Sequence, residues 1–105
     1  MKQTKIAING FGRIGRSFLR ATLGMSEFEI TAINDLTDTT TLAYLLRYDS
    51  VYGKYKKRIE AKEHSLTIDG KEIHVFAKKD PTTLPWNKLE IDIVVESSGF
   101  FAHSD

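Results

Sequence analysis

A six-residue segment near the amino terminus, Gly10 to Gly15, has the spacing Gly-x-Gly-x-x-Gly. It follows a short apolar run at residues 5–9, which is typical of a strand, and it opens residues 13–23, where the pattern is helical. Three glycines in a strand–turn–helix context are typical of units that bind a dinucleotide, and the alternative is a glycine-rich turn without a ligand. This segment constrains the fold most, because it predicts a strand, a tight turn and a helix in succession.

Each glycine of this loop has a predicted role. Gly10 permits the tight turn, Gly12 lets the backbone approach a pyrophosphate, and Gly15 lets the helix pack closely against the strand. The first helical N–H groups, at Arg13 and Ile14, would then point at the anion from the amino terminus of the helix. We therefore predict a pyrophosphate site in this loop.

Asp35 is the second candidate for cofactor binding. It follows a β-rich run at residues 29–34 and lies 20 residues after Gly15. In dinucleotide-binding units an acidic residue at about this distance accepts hydrogen bonds from the adenosine ribose. A carboxylate there also repels a 2′-phosphate, which favours NAD over NADP. The alternative is that Asp35 only forms a turn or caps the next helix, although Asp38 is better placed to be the cap.

The rest of the chain continues the alternation of strands and helices. The predicted elements are a helix at residues 38–47, a Lys-rich polar stretch at 52–63, a hairpin of 66–68 and 72–76 around Asp69-Gly70, a short helix from Asp80 and an apolar strand at 91–95. Strands separated by helices predict parallel pairing. The predicted fold class is α/β, a Rossmann-type doubly wound parallel sheet consisting of the first half plus one further strand, with a β-hairpin insertion.

The helix after the glycine loop has a predicted apolar face. Ile14, Phe18 and Ala21 share one side of it, whereas Arg16 and Arg20 lie on another. We expect the apolar side to be the one that packs inward.

The last apolar run is followed by Ser97-Ser98-Gly99. In a doubly wound sheet the first and fourth strands are neighbours, and the ligand binds in the crevice at their ends. We therefore expect these small residues beside the glycine loop, where they suit the close passage of a dinucleotide. Phe100 and Phe101 could stack on a base, and the alternative is that they pack in the core.

Composition excludes several other functions. The 15 Lys and Arg residues nearly balance the 14 Asp and Glu residues, so nucleic acid is not an expected partner and the Lys-rich stretch is more typical of a solvated hairpin edge. The chain has no cysteine, which excludes disulfides, thiolate metal sites and a cysteine nucleophile within it. No apolar run has the length of a membrane span or of a signal-peptide core. We therefore predict a cytoplasmic protein with no membrane partner.

Five segments of the sequence together resemble the amino-terminal part of the glyceraldehyde-3-phosphate dehydrogenase family. The resemblance runs over essentially the whole chain, and the segments occur in the order of the family. They are residues 8–16, 32–38, 45–53, 79–81 and 94–101. The resemblance implies the NAD-binding domain of a phosphorylating aldehyde dehydrogenase of glycolysis.

The resemblance also implies roles for individual residues. Arg13 and Ile14 would contact the pyrophosphate through their backbone, Asn9 would lie beside the adenosine half of NAD, and Asp35 would hold its ribose. Lys79 stands near the adenine, at a position where the family often has Arg.

Further matches follow the last strand. Ser98 stands where the family commonly has Thr and keeps the hydroxyl, and Phe101 matches an aromatic position near the adenine. With the residues above, the full predicted set for the cofactor is Asn9, Gly10, Gly12, Arg13, Ile14, Gly15, Asp35, Lys79, Ser98, Gly99 and Phe101.

The catalytic machinery of the family has no counterpart at the matched positions. The family's catalytic cysteine, catalytic histidine and phosphate-binding residues would lie beyond residue 105, and His64, His74 and His103 do not match the catalytic histidine. We therefore expect residues 1–105 to be an incomplete NAD-binding domain, inactive by itself and without the catalytic domain. Glyceraldehyde 3-phosphate and phosphate would be partners of the full-length enzyme only, and the family implies a homotetramer.

Two other functions stay open from the sequence. One is a fragment of erythrose-4-phosphate dehydrogenase, although that enzyme often has Glu where this chain has Asp35. The other is a non-catalytic module that binds a nucleotide, a protein or RNA. For the 105-residue chain we further expect an exposed edge at the last strand, self-association through it, and binding of ADP almost as strong as that of NAD.

Overall fold

Strands β1 to β6 form one sheet in the computed structural model of the chain, which describes residues 3–48 and 58–97. They are β1 (Thr4–Asn9), β2 (Phe28–Asn34), β3 (Ile59–Lys62), β4 (Ser65–Ile68), β5 (Lys71–Phe76) and β6 (Ile93–Glu96). Helices α1 (Arg13–Thr22) and α2 (Thr39–Tyr48) follow β1 and β2, and a short 3₁₀ helix spans Pro81–Thr83. Neither α-helix has the length or the apolar content needed to cross a membrane.

The order of the strands confirms the predicted α/β fold. Across the sheet the order is β3-β4-β5-β2-β1-β6. β5, β2, β1 and β6 pair in parallel, whereas β3, β4 and β5 pair in antiparallel fashion. The last strand therefore lies beside the first, as expected for a doubly wound sheet.

The predicted hairpin is present and belongs to the main sheet. Its turn residues Asp69 and Gly70 have φ angles of 52° and 88°, as a two-residue type I′ turn requires. β5 pairs with β4 on one side and with β2 on the other, so the second hairpin strand is also the third parallel strand. β3 lies within the Lys-rich stretch and forms the outer strand of a hairpin with β4, in agreement with a hairpin edge; Ile59 is its one buried side chain.

The inward face of α1 agrees with the predicted one only in part. Phe18 is half-buried and packs against the core, whereas Ile14 is 69% exposed, Ala21 is also exposed, and Gly15 is buried instead. A Cβ atom on Gly15 would come within 3.0 Å of the Ile8 side chain, so the helix turns its glycine toward β1. Close approach of the two backbones fixes the rotation of the helix, and the apolar side chains do not decide it.

The core lies where the two helices and the sheet meet. Its fully buried side chains come from α1, α2, the strands and the glycine loop, and the largest of them are Ile6, Ile8, Phe11, Leu19, Ile33, Leu42, Leu46, Leu66, Ile68 and Ile73. Because β1, β2 and β5 are central strands of this core, their carboxyl ends are held at fixed positions. The loops that follow these ends carry the candidate site.

Candidate functional site

The carboxyl ends of four parallel strands lie along one edge of the sheet. β1 leads into the glycine loop, β2 into Asp35, β5 into Lys78 and Lys79, and β6 into Ser97. Parallel strands bring these four segments to the same edge although up to 87 positions separate them along the chain. Ligands of open α/β sheets bind at this edge.

The glycine loop has the geometry that its sequence predicts. Gly10 has a φ angle of 91°, which favours glycine, and its N–H donates to the Asn34 carbonyl at 2.7 Å. A Cβ atom on Gly15 would lie 2.6 Å from the Ser97 hydroxyl and 2.7 Å from the Gly10 carbonyl oxygen. Gly15 therefore allows α1 to pack directly against the loop and the end of β6.

The amino terminus of α1 has the properties of an anion site. Its N-cap residue is Gly12, which supplies no side-chain acceptor to the first N–H groups of the helix. Among the described residues, a Cβ atom on Gly12 would meet the Ser97 carbonyl alone, at an ordinary 3.6 Å, so packing against them does not itself require a glycine there. Arg13 and Ile14 are exposed in the first turn. A pyrophosphate fits this terminus, because backbone N–H groups and the helix dipole favour an anion.

Asp35 directs its carboxylate at the glycine loop. Its Oδ2 accepts a hydrogen bond from the Phe11 N–H at 2.7 Å, and its Oδ1 accepts one from the Thr37 N–H at 2.9 Å. Each carboxylate oxygen can accept a second bond, so the half-buried group retains acceptor capacity for a ribose hydroxyl. The bond to Thr37 shows that Asp35 also shapes a turn, while the cap of α2 is Asp38, which accepts from the Thr41 N–H at 2.8 Å.

A buried arginine supports the same loop from the other side. Arg16 is 8% exposed and donates a hydrogen bond to the Phe11 carbonyl at 2.9 Å. Helical periodicity had placed Arg16 away from the apolar face, so the sequence analysis missed it. The signal that could have found it is its position directly after Gly15, the residue closest to the strand.

Asn9 and Asn34 join the strand ends through their side chains. Asn34 Nδ2 donates to Asn9 Oδ1 at 2.9 Å, and Asn9 Nδ2 donates to a Glu96 carboxylate oxygen at 2.8 Å. Asn34 also bonds both backbone atoms of Lys78. The sequence analysis selected Asn9 but missed Asn34 and Glu96. The signal that could have found them is their position, because each of the three is the last residue of a parallel strand.

A pocket of about 680 Å³ adjoins Asp35. Leu36 and Thr37 contribute to its walls, as do Ala77 and Lys78 from the loop after β5. Lys79, the next residue, is exposed. His64 and His74 also line this pocket, and the described residues contain no cluster of three or more His, Cys, Asp or Glu side chains suited to a metal ion.

The end of β6 lies against the glycine loop, as expected. The Ser97 N–H donates to the Asn9 carbonyl at 2.9 Å, and the Ser97 hydroxyl donates to the Gly10 carbonyl. The candidates Ser98, Gly99 and Phe101 lie outside the described residues.

Comparison with known proteins points to one family. The family model described as "Glyceraldehyde 3-phosphate dehydrogenase, NAD binding domain" matches residues 4–104. Glyceraldehyde-3-phosphate dehydrogenase 1 of Bacillus cereus is 55% identical over 98 residues, which are 93% of this chain and 29% of that protein. Glyceraldehyde-3-phosphate dehydrogenase of Mycoplasma pneumoniae is 53% identical over 104 residues, 99% of this chain and 31% of the relative. The corresponding protein of Thermotoga maritima is 52% identical over 103 residues, 96% of this chain and 31% of the relative. The chain therefore spans about three tenths of the length of these curated relatives.

Proposed function

This chain belongs to the family of glyceraldehyde-3-phosphate dehydrogenase NAD-binding domains, and on that premise we propose which of its residues hold the cofactor and what the whole protein does. NAD is the cofactor of this domain. The N–H groups of Arg13 and Ile14 bind the pyrophosphate, the loop glycines Gly10, Gly12 and Gly15 allow its close approach, and Asp35 accepts hydrogen bonds from the adenosine ribose.

The hydrogen bond between Phe11 and Asp35 carries this proposal. It places the carboxylate 2.7 Å from a backbone nitrogen of the glycine loop, two residues before the first turn of α1. In NAD the adenosine ribose is joined directly to the pyrophosphate, so a ribose acceptor must lie close to the pyrophosphate donors. The arrangement of Asp35 beside the loop meets that requirement.

The remaining candidates belong to the adenosine half of the cofactor. Asn9 lies at the end of β1 under the glycine loop, and Lys79 follows the loop segment that lines the pocket beside Asp35. We propose that Lys79 lies near the adenine and that Ser98, Gly99 and Phe101 complete the site.

For the whole protein we propose the phosphorylating oxidation of glyceraldehyde 3-phosphate. The aldehyde and inorganic phosphate give an acyl phosphate, and NAD supplies the oxidising power by accepting the hydride. The 105 residues contain no cysteine, so the nucleophilic thiol that the family uses would come from outside them. The same reasoning proposes glycolysis as the setting, the cytoplasm as the location and a homotetramer as the assembly.

Substitution of Asp35 tests the cofactor site. Asp35→Ala removes both the ribose acceptor and the charge that repels a 2′-phosphate. We expect the binding free energy of NAD to weaken by about 1–3 kcal/mol, the scale of a charge-assisted hydrogen bond. NADP is expected to lose less or to gain. Titration calorimetry with both cofactors measures the two changes.

Glu27→Ala is the control, because it removes an exposed carboxylate that directly precedes β2, at the opposite edge of the sheet from the candidate site. It is expected to leave the ratio of the NAD and NADP affinities unchanged. Equal losses for NAD and NADP in Asp35→Ala would contradict the proposal and would mean that Asp35 only holds the glycine loop.

A further inference from the structure

We propose that Asn34 is a positioning residue for the adenosine end of NAD, and that it acts through the loop of residues 77–79. The inference rests on the proposed cofactor site, because this loop contributes a wall to the pocket beside Asp35. Four observations carry it: the few bonds that hold the loop, the fixed orientation of the Asn34 amide, the burial of that amide and the location of the pocket.

The side chain of Asn34 holds the loop where the strand ladder ends. β5 pairs with β2 only from His74 to Phe76, and the bond from the Asp35 N–H to the Phe76 carbonyl, at 2.8 Å, follows directly. Lys78 then donates its N–H to Asn34 Oδ1 at 2.9 Å, and its carbonyl accepts from Asn34 Nδ2 at 3.0 Å. Within the described chain these are the hydrogen bonds that residues 77–79 make. Beyond Phe76, the side chain of Asn34 therefore takes the place of the backbone hydrogen bonds between β2 and β5.

The partners of Asn34 allow its amide only one orientation. A backbone N–H can only donate, so Lys78 fixes the position of Asn34 Oδ1, and Nδ2 must face the Lys78 carbonyl. The second Nδ2 hydrogen goes to Asn9 Oδ1, which turns the Asn9 Nδ2 toward Glu96. An ionised carboxylate can only accept a hydrogen bond, so Glu96 requires a donor from Asn9. This requirement agrees with the amide orientation that Lys78 fixes at Asn34. The network thus links the ends of β5, β2, β1 and β6 in a single arrangement.

Burial separates this role from direct binding of a ligand. Asn34 is 5% exposed, and both of its donor hydrogens are already used. Its effect on the cofactor therefore passes through the loop. Ala77 and Lys78 line the pocket together with Leu36 and Thr37, which follow Asp35. Any part of the cofactor that extends beyond a ribose held at Asp35 would enter this pocket. The position of the loop of residues 77–79 sets the width of the pocket.

Asn34→Ala tests the role by releasing the loop. Titration calorimetry of the full chain with NAD, ADP and inorganic pyrophosphate compares ligands with and without adenosine. Loss of two hydrogen bonds that hold the pocket wall is expected to weaken NAD and ADP by about tenfold. Pyrophosphate binds at the start of α1 alone, so its affinity is expected to stay within about twofold. Asn87→Ala, at an exposed asparagine, is the control and is expected to leave all three affinities unchanged.

Two results would overturn the positioning role while the proposed function stands. One is an unchanged affinity for ADP in Asn34→Ala. The other is an equal loss for all three ligands, which would make Asn34 a support of the whole domain. If the unsubstituted chain binds neither NAD nor ADP, the proposed cofactor site itself is wrong and this inference falls with it.

Amide hydrogen exchange of the unsubstituted chain gives a second measurement that does not depend on the folding of a variant. We expect the Lys78 amide to be protected in the way that the Asp35 amide is, because each donates to a fixed acceptor. The Lys79 amide is expected to exchange rapidly. Equally rapid exchange of Lys78 and Lys79 would overturn the proposal.

Discussion

At the scale of single residues, Phe11 anchors the glycine loop through its backbone and its side chain. Its N–H donates to Asp35, its carbonyl accepts from Arg16, and its ring is 1% exposed within the core. A loop held at three points keeps its backbone in place before a ligand arrives, so binding does not have to order it. Asp35 therefore contributes to the site twice, as a proposed ribose acceptor and as a support for the loop.

Gly15 provides a sharp test of how closely α1 packs. In Gly15→Ala the new methyl group would lie 2.7 Å from the Gly10 carbonyl oxygen, a backbone atom that cannot move without distorting the loop. We expect the free energy of unfolding to fall by about 1–3 kcal/mol, as for overpacked cores. Urea denaturation measures this loss.

Gly24→Ala is the matched control for that substitution. A Cβ atom on Gly24 would meet no atom of residues 3–48 or 58–97 within 4 Å, and Gly24 lies outside the positive-φ region. It is expected to be neutral or to stabilise the chain by up to about 1 kcal/mol. If Gly15→Ala and Gly24→Ala are equally stable, the close approach of helix and loop is not as described.

Residues whose role depends on local spacing could be predicted from the sequence, and those that depend on distant partners could not. The positions of Gly10, Gly15 and Asp35 follow from the loop pattern and the distance to the next strand. Asn34 forms hydrogen bonds with Lys78, which lies 44 residues later in the chain, and no local sequence pattern predicts that contact. Arg16 is buried because Gly15 draws the helix inward, an effect that hydrophobic periodicity does not include.

At the scale of elements, the cap of α2 connects local chemistry to stability. Asp38 accepts a hydrogen bond from the Thr41 N–H, and this bond lowers the pKa of the Asp38 carboxyl below its ordinary value of 3.8. A carboxyl whose pKa is lower in the folded state stabilises the fold when it is ionised. That contribution is present above the unfolded-state pKa and is lost as the pH falls through the folded-state pKa.

Asp38→Ala is therefore expected to have a pH-dependent effect. At pH 7 it lowers the urea midpoint, because α2 loses its cap. The difference from the unsubstituted chain narrows as the pH falls below about 4, where the natural carboxyl is protonated too. Asp38→Asn, which keeps a cap oxygen without a charge, is expected to lie between the two at pH 7. A difference that stays constant from pH 7 to pH 3 would show that the ionised carboxylate is not the cap.

The elements also show where periodicity is a sufficient guide and where it is not. α2 could be predicted because a cap and its apolar residues agree, with Leu42 and Leu46 buried. The existence of α1 was predicted but its inward face only in part: Phe18 packs against the core, whereas Ile14 is exposed and Gly15 is buried. β3 agrees with the interpretation of the Lys-rich stretch as a hairpin edge, but its bounds could not be predicted, since its side chains are mostly exposed and pairing with β4 defines the strand.

At the scale of the whole molecule, the two outer strands of the sheet differ in character. β3 exposes Glu60 and Lys62, and charged side chains of this kind discourage pairing with another chain. β6 pairs with β1 alone among the described strands, and it exposes Ile93 and Val94 to 48% and 38%. The apolar edge is thus at β6, beside the candidate cofactor site.

We expect the 105-residue chain to self-associate through β6, and Val94→Lys to reduce that association. Val94 points away from Val95, which packs against the core, so a lysine there adds charge at the edge and spares the interior. Light scattering over a range of protein concentrations measures the effect. Ala21→Lys, on the exposed side of α1, adds the same charge away from the edge and is expected to leave the association unchanged. A chain that stays monomeric, or an equal decrease in both variants, would show that the β6 edge does not cause association.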